Sequence, residues 1–249
     1  MTIFSSPPIE SKKNLNLASR LARTAAGFLS SSGRKVIAYL PRDVKVEADG
    51  QLNQFIRGGL KKETAFPILS EEDSLSSDFN FQGPLWIIDP LDGSLNYSKN
   101  IPFSCISIAL WEDLQPKLGV IYDSNRNELF EGIVGEGAWL NGKPLKMETS
   151  VSKENAILCT GFPTGRDFSD SSLKEFVEEV KAYKKIRLFG SAALSLAYVA
   201  SGRADSYHED SIAIWDIAAG LALVKAAGGA IDYKKTDNPY RWIVKAGIL

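Results

Sequence analysis

Asp89-Pro90-Leu91-Asp92-Gly93-Ser94 closes an apolar run, Pro84-Leu85-Trp86-Ile87-Ile88, and the reading of this stretch decides the fold. The run is short, β-branched and aromatic, which predicts a buried strand. Two carboxylates three residues apart therefore sit where a strand runs out into a tight turn. Pro90 fixes its own φ, and Gly93 permits backbone conformations closed to other residues. A rigid turn that offers two carboxylates, the Leu91 carbonyl and the Ser94 hydroxyl suits a hard divalent cation such as magnesium, which takes oxygen ligands. An Asx-capped turn is the plain alternative, because Asp and Gly are ordinary turn residues.

Two more acidic clusters bear on that choice. Phe66-Pro67-Ile68-Leu69-Ser70-Glu71-Glu72 is another apolar strand ending in carboxylates. Ile214-Trp215-Asp216 leads into Ile217-Ala218-Ala219-Gly220-Leu221-Ala222-Leu223-Val224, whose apolar residues recur at helical spacing. Asp216 thus opens a helix, where a carboxylate is favoured by unpaired N–H groups, and an N-cap is its ordinary reading. Clustered carboxylates repel one another unless cations neutralise them, so convergence of the three clusters would imply metal.

Ser70-Glu71-Glu72, Asp89-Pro90-Leu91-Asp92-Gly93-Ser94-Leu95-Asn96-Tyr97 and Trp215-Asp216-Ile217-Ala218-Ala219-Gly220 resemble the motifs of the inositol monophosphatase family. This is a lithium-sensitive, magnesium-dependent phosphatase superfamily that also holds fructose-1,6-bisphosphatases and 3′(2′),5′-bisphosphate nucleotidases. The resemblance runs in order along nearly the whole chain, through Gly135-Glu136-Gly137-Ala138-Trp139-Leu140-Asn141-Gly142 and Phe189-Gly190-Ser191-Ala192-Ala193. It implies an α+β or α/β fold, a layered αβαβα sandwich of the sugar-phosphatase type. It further implies a magnesium-dependent phosphomonoesterase acting on a small phosphorylated polyol or sugar such as inositol monophosphate.

The site residues follow from the same resemblance. Glu71, Asp89 and the Leu91 carbonyl would hold one magnesium, and Asp89 would bridge to a second completed by Asp92 and Asp216. A third, weaker ion near Glu71 would make two to three in all. Such a metal pair clamps phosphate, activates water and stabilises the leaving oxygen. Ser94 would orient the water with Asp49 as its acid partner, so that Glu71, Asp49 and Ser94 form the catalytic group. The usual threonine before that aspartate is missing, which keeps Asp43 and Glu47 as alternatives and a solvated turn as the plain reading; Glu72 is a neighbouring charge. Gly93 and Ser94 would offer N–H groups to phosphate. Gly190, Ser191, Ala192 and Glu209 would face the alcohol part, Glu209 standing seven residues before Asp216, with an exposed acid as its alternative. Asn96 favours the inositol or sugar branch, whereas Phe66 to Glu72 looks like the nucleotidase branch. Arg166 and Arg187 are candidates for a second phosphate or for ordinary surface residues.

Composition is consistent with this reading. The 249 residues suffice for one α/β domain or two closely packed halves, divided at 1–147 and 148–249. With 29 basic and 30 acidic residues, nothing favours nucleic acid or a membrane surface. No apolar run reaches transmembrane length. Met1 to Pro8 lacks the regions of a signal peptide, and Cys105 and Cys159 read as free core thiols, which together predict the cytoplasm. A homodimer is what the resemblance implies.

Helices are predicted near Lys12 to Ser31, Leu52 to Lys62, Ser172 to Lys184 and Ser191 to Ala200, and at Trp215. Strands are predicted at Ser104 to Leu110, Leu118 to Tyr122, Glu128 to Val134, Ala156 to Thr160 and Ile186 to Leu188. Pro41 to Gly50 reads as a turn-rich polar passage, and Lys146 to Lys153 as the boundary between halves. A serine hydrolase would have only His208 and lacks a Gly-x-Ser-x-Gly elbow; a P-loop is absent. The alternative from another class, an inactive phospholigand-binding regulator, would require loss of a ligand position, and every position that aligns is filled.

Overall fold

The computed structural model of the chain describes residues 10–31, 34–40, 43–73, 80–148 and 151–248. Met1 to Pro8, Pro41 and Arg42 of the polar passage, and Thr149 and Ser150 of the expected boundary lie outside the described residues. Among the described residues, no helix is long and apolar enough to cross a membrane.

Helix α1 (Ser11–Ser31) precedes a hairpin of β1 (Val36–Leu40) and β2 (Asp43–Val46), then α2 (Glu47–Glu63) and the short β3 (Ile68–Ser70). Next come β4 (Pro84–Asp92), α3 (Ser94–Ser98), β5 (Cys105–Glu112), β6 (Gln115–Asp123), β7 (Glu128–Ile133), β8 (Gly137–Leu140) and β9 (Lys143–Leu145). The remainder is β10 (Ile157–Thr160), α4 (Asp170–Lys181), β11 (Lys185–Arg187), α5 (Ala192–Ala200), β12 (Ser206–Ala213), α6 (Ile214–Ala226), β13 (Ala230–Lys235) and β14 (Arg241–Gly247).

Strands β3 to β9 form a seven-stranded sheet in sequence order, antiparallel except for β3 beside β4. A five-stranded sheet has the order β11-β10-β12-β14-β13, with β11, β10 and β12 parallel. The first draws its strands from residues 68–145 and the second from 157–247, and the expected division between 147 and 148 falls between these ranges.

Side-chain alternation sorts the core into two faces. Trp86 and Ile88 of β4 pack with Leu21, Leu52 and Ile56 of α1 and α2, whereas Leu85 and Ile87 pack with the α5 and α6 side chains. β4 is buried along its whole length, which is why its sequence is a continuous apolar run rather than an alternating one. Helix α6 is apolar all round because both sheets enclose it; Trp111 of β5 and Trp242 of β14 belong to the same core as Ile217 and Leu221. On the far face of the five-stranded sheet, Lys245 reaches Glu179 of α4 at 3.5 Å. The layers are therefore αβαβα.

Two expectations are corrected. Pro41 to Gly50 is not a turn passage, because β2 occupies part of it and α2 begins at Glu47. Its polar residues are a helix start: Asp49 Oδ2 accepts the Val46 N–H at 2.7 Å, one of the donors a first turn leaves unpaired. β4 does not end at Ile88 either. It continues to Asp92, opposite Cys105, through an irregularity in register after Asp89.

Candidate active site

The aspartate pair ends strand β4, and Glu71 follows β3, whose Ser70 lies beside Ile88. Asp216 stands in the first turn of α6. These three elements converge on a cavity of about 280 Å³ lined by Glu71, Asp89, Leu91, Asp92, Ser94 and Asp216 among others. Carboxylate oxygens of Asp89, Asp92 and Asp216 all lie within 4.8 Å of one another.

Such crowding has an electrostatic cost. Burial, then repulsion from Glu71, Asp92 and Asp216, holds the Asp89 carboxyl well above its ordinary range. Asp216 is pushed up for the same reasons, against the opposing charge of Arg241. A group of hard oxygen donors that resists ionising without a counter-charge fits a magnesium-type cation, and the donor set lacks the His and Cys ligands that zinc favours. Glu71, Asp89, Asp92 and Asp216 could hold it, with the Leu91 carbonyl beside them.

Asp92 is the most firmly held member. Its Oδ2 accepts the Ser191 hydroxyl at 2.6 Å and the Ala193 N–H at 2.7 Å, so the start of α5 grips it. Cys105 Sγ also lies 4.0 Å from that oxygen, and burial pushes its thiol well up. Both cysteines are free and buried.

Gly93 turns at φ 86°, and a Cβ there would come within 2.8 Å of the Phe103 carbonyl. That turn lets Ser94 start α3 and face Asp49. Ser94 Oγ has two acceptors for its single proton, Asp49 Oδ1 at 3.0 Å and the Leu91 carbonyl at 2.9 Å. Burial raises Asp49 to about 7 despite its bonds to Val46 and Ser94, and Glu72 adds repulsion. Glu72 itself pairs with Lys45 at 2.7 Å. Of the two alternative acids, Glu47 is exposed, and the Asp43 side chain lies outside the described residues.

Gly190, Ser191, Ala192 and Glu209 line the same cavity. Glu209 is no exposed acid: it is buried, and burial raises it to about 8. The Ser191 hydroxyl is committed to Asp92 and to the Leu194 N–H, as the cap of α5. Asn96 is buried as well, and its amide donates to the Phe103 and Phe189 carbonyls at 2.9 and 2.7 Å. These bonds tie α3 to the segment that leads into Gly190.

Neither arginine singled out in the sequence lines the cavity. Arg187 lies on the edge strand β11, and Arg166 is enclosed by the Phe162 and Phe176 rings beside Asp210. His208 bridges Glu179 and Asp210 and does not line the cavity. Arg241 went unseen in the sequence, and Ala193 stood in the Phe189 to Ala193 segment with no role of its own. Ala193 acts through its N–H, which no side chain advertises, and Arg241 sits in a strand with no motif around it.

Comparison with known proteins gives a consistent result. Residues 16–244 match the family model described as the inositol monophosphatase family. The chain is 39% identical over 238 residues to the Nus factor SuhB of Xylella fastidiosa, covering 92% of this chain and 85% of that one. It is 38% identical over 192 residues to the inositol-1-monophosphatase of a Synechocystis species, covering 76% of this chain and 66% of that protein. Among solved structures, the inositol monophosphatase from Anabaena superposes with a TM-score of 0.81 at 32% identity, over 96% of this chain and 92% of that one.

Proposed function

The chain belongs to the inositol monophosphatase family, and from that premise we propose that it is a magnesium-dependent hydrolase of small phosphate monoesters, with a phosphorylated polyol or sugar as substrate. The observation that carries this reading is the convergence of Glu71, Asp89, Asp92 and Asp216 in one cavity, with Ser94, backed by the buried Asp49, at one part and Glu209 at another. When bound there, two to three magnesium ions would supply phosphate neutralisation, water activation and leaving-group stabilisation. Ser94, its proton given to Asp49, presents lone pairs that accept a hydrogen from water and fix its direction. The Gly93 and Ser94 N–H groups offer donors to phosphate oxygens. Glu209 is positioned to accept hydrogen bonds from vicinal hydroxyls of the alcohol. Lithium would compete for a magnesium position, the two buried free thiols suit the reducing cytoplasm, and the active form would be a homodimer.

A phosphate-release screen with magnesium tests this reading, using inositol 1-phosphate, fructose 1,6-bisphosphate, adenosine 3′,5′-bisphosphate and several sugar phosphates. In that screen, run at about pH 9 so that Glu209, raised to about 8, is ionised, Glu209→Gln is expected to lower kcat/KM on the preferred polyol ester about ten- to a hundredfold relative to p-nitrophenyl phosphate. That is the value of a hydrogen bond to a charged group. An equal loss on both esters would assign Glu209 to the fold or the metal shell.

Asp49 gives a pH signature. It must be ionised to take the Ser94 proton, and its carboxyl is raised to about 7. At saturating magnesium, kcat/KM is therefore expected to fall as pH drops from 8 to 6, with Asp49→Asn slower and flatter over that range. A variant that keeps the wild-type slope would remove Asp49 from the reaction. Similarity to the Nus factor SuhB of Xylella favours a second reading, a role in transcription complexes. Absence of phosphate release from every ester would leave that reading standing alone.

A further inference from the structure

The geometry points to Arg241 as a specificity-determining residue: resting on the phosphatase reading above, its guanidinium binds a second phosphate carried by the alcohol part of the substrate. Arg241 opens β14 and lines the cavity beside Asp216 and Thr164. It is held from two directions. Nη1 donates to the Ser211 carbonyl at 3.1 Å, and Nη2 donates to Thr164 Oγ1 at 2.6 Å. Both acceptors are neutral, and among the described residues no carboxylate oxygen comes within ion-pair distance of the guanidinium. A guanidinium carries five N–H donors in a planar fork suited to phosphate, so these two bonds leave donors over.

The surroundings are shaped around this one cation. Ser211 adopts φ 60° within the stretch where the pairing of β12 with β14 breaks register between Glu209 and Ile212. Gly165 leaves room for the arginine to pass, since a Cβ there would meet Ser211 Oγ at 2.7 Å and Arg241 Cδ at 3.2 Å. Arg166 differs on both counts, being paired with Asp210 and closed between two rings. The cation faces the cavity that the acidic cluster occupies. Once cations neutralise those acids, the fixed positive charge of Arg241 is left for the substrate. The transferred phosphate already has the Gly93 and Ser94 N–H groups, so the anion that Arg241 meets is a second one.

The test uses the purified full-length chain at saturating magnesium and two matched pairs of esters. These are fructose 1,6-bisphosphate against fructose 1-phosphate, and adenosine 3′,5′-bisphosphate against adenosine 3′-phosphate. The wild type is expected to favour the bisphosphate of one pair at least tenfold in kcat/KM, chiefly through KM, and the pair that does so identifies a sugar or a nucleoside substrate. Arg241→Gln is expected to collapse that ratio by about ten- to a hundredfold, and Arg241→Lys to recover part of it as a point charge. A wild-type ratio near one in both pairs would overturn the inference and needs no variant to fold. So would a variant that slows both members of a pair equally, which would make Arg241 a brace for Ser211 and Thr164. Turnover of no ester at all would overturn the phosphatase reading and this inference with it.

Discussion

Asp92→Asn and Asp216→Asn are each expected to fold and to lose turnover by about 10²–10³-fold at limiting magnesium, the scale on which loss of one transition-state charge contact is felt. An amide keeps the size of the carboxylate but offers a hard cation no charge and one fewer oxygen. At Asp92 the amide oxygen can still accept the Ser191 hydroxyl and the Ala193 N–H, which keeps the start of α5 in place. Stability should move the opposite way for Asp216→Asn. The wild-type carboxyl is buried and crowded by Asp92 and Glu71, so the neutral variant is expected to melt higher than wild type without metal and to gain less from magnesium. Phosphate release and melting curves on the same samples check both halves. Near-wild-type rates would reduce either residue to a turn or cap.

Excess chelator is expected to abolish turnover, and the metal-free chain is expected to lose stability as pH rises. The sign follows from proton counting. Asp89 and Asp216 are raised well above the ordinary carboxylate range, Asp49 to about 7 and Glu209 to about 8. Between roughly pH 4, where these groups titrate in an unfolded chain, and their raised folded values, the native state binds more protons than the unfolded one. Unfolding free energy therefore falls as pH climbs through that window. Magnesium supplies the missing counter-charge and should restore stability most at pH 8 and least at pH 5. At 100 times its dissociation constant an ion contributes about 2.7 kcal/mol, or roughly 5–10 °C for a chain of this size. Turnover that survives chelation would sink the metal assignment, and a magnesium shift independent of pH would sink the coupling to these carboxyls.

The legible parts of the sequence were those where chemistry and periodicity coincide. β4 could be read because burial on both faces makes it one apolar run, and α6 because its motif heads a long apolar helix. The acidic cluster was legible as three strand or helix ends, though their convergence is a matter of topology. β12, β13 and β14 were not legible. Ser206-Tyr207-His208-Glu209-Asp210-Ser211 alternates a core face with one that carries His208 and Asp210 toward α4, and the bulge at Ser211 breaks the period. The start of α2 was hidden for another reason. Glu47 and Asp49 are as natural in a turn as in a first helical turn, and only the bond from the Val46 N–H separates the two.

The enclosure of α6 between the two sheets has a consequence for the newborn chain. The ribosome delivers all of the seven-stranded sheet before it delivers α6. Until then the face bearing Leu85, Ile87, Ala109, Trp111, Ile121 and Phe130 lacks its main cover, with only the short α5 available to pack there. Synthesis thus passes through an interval in which a wide oily surface is presented to the cell, the condition under which chains stick to one another or to chaperones. A stall or truncation upstream of Ile214 would prolong that interval indefinitely.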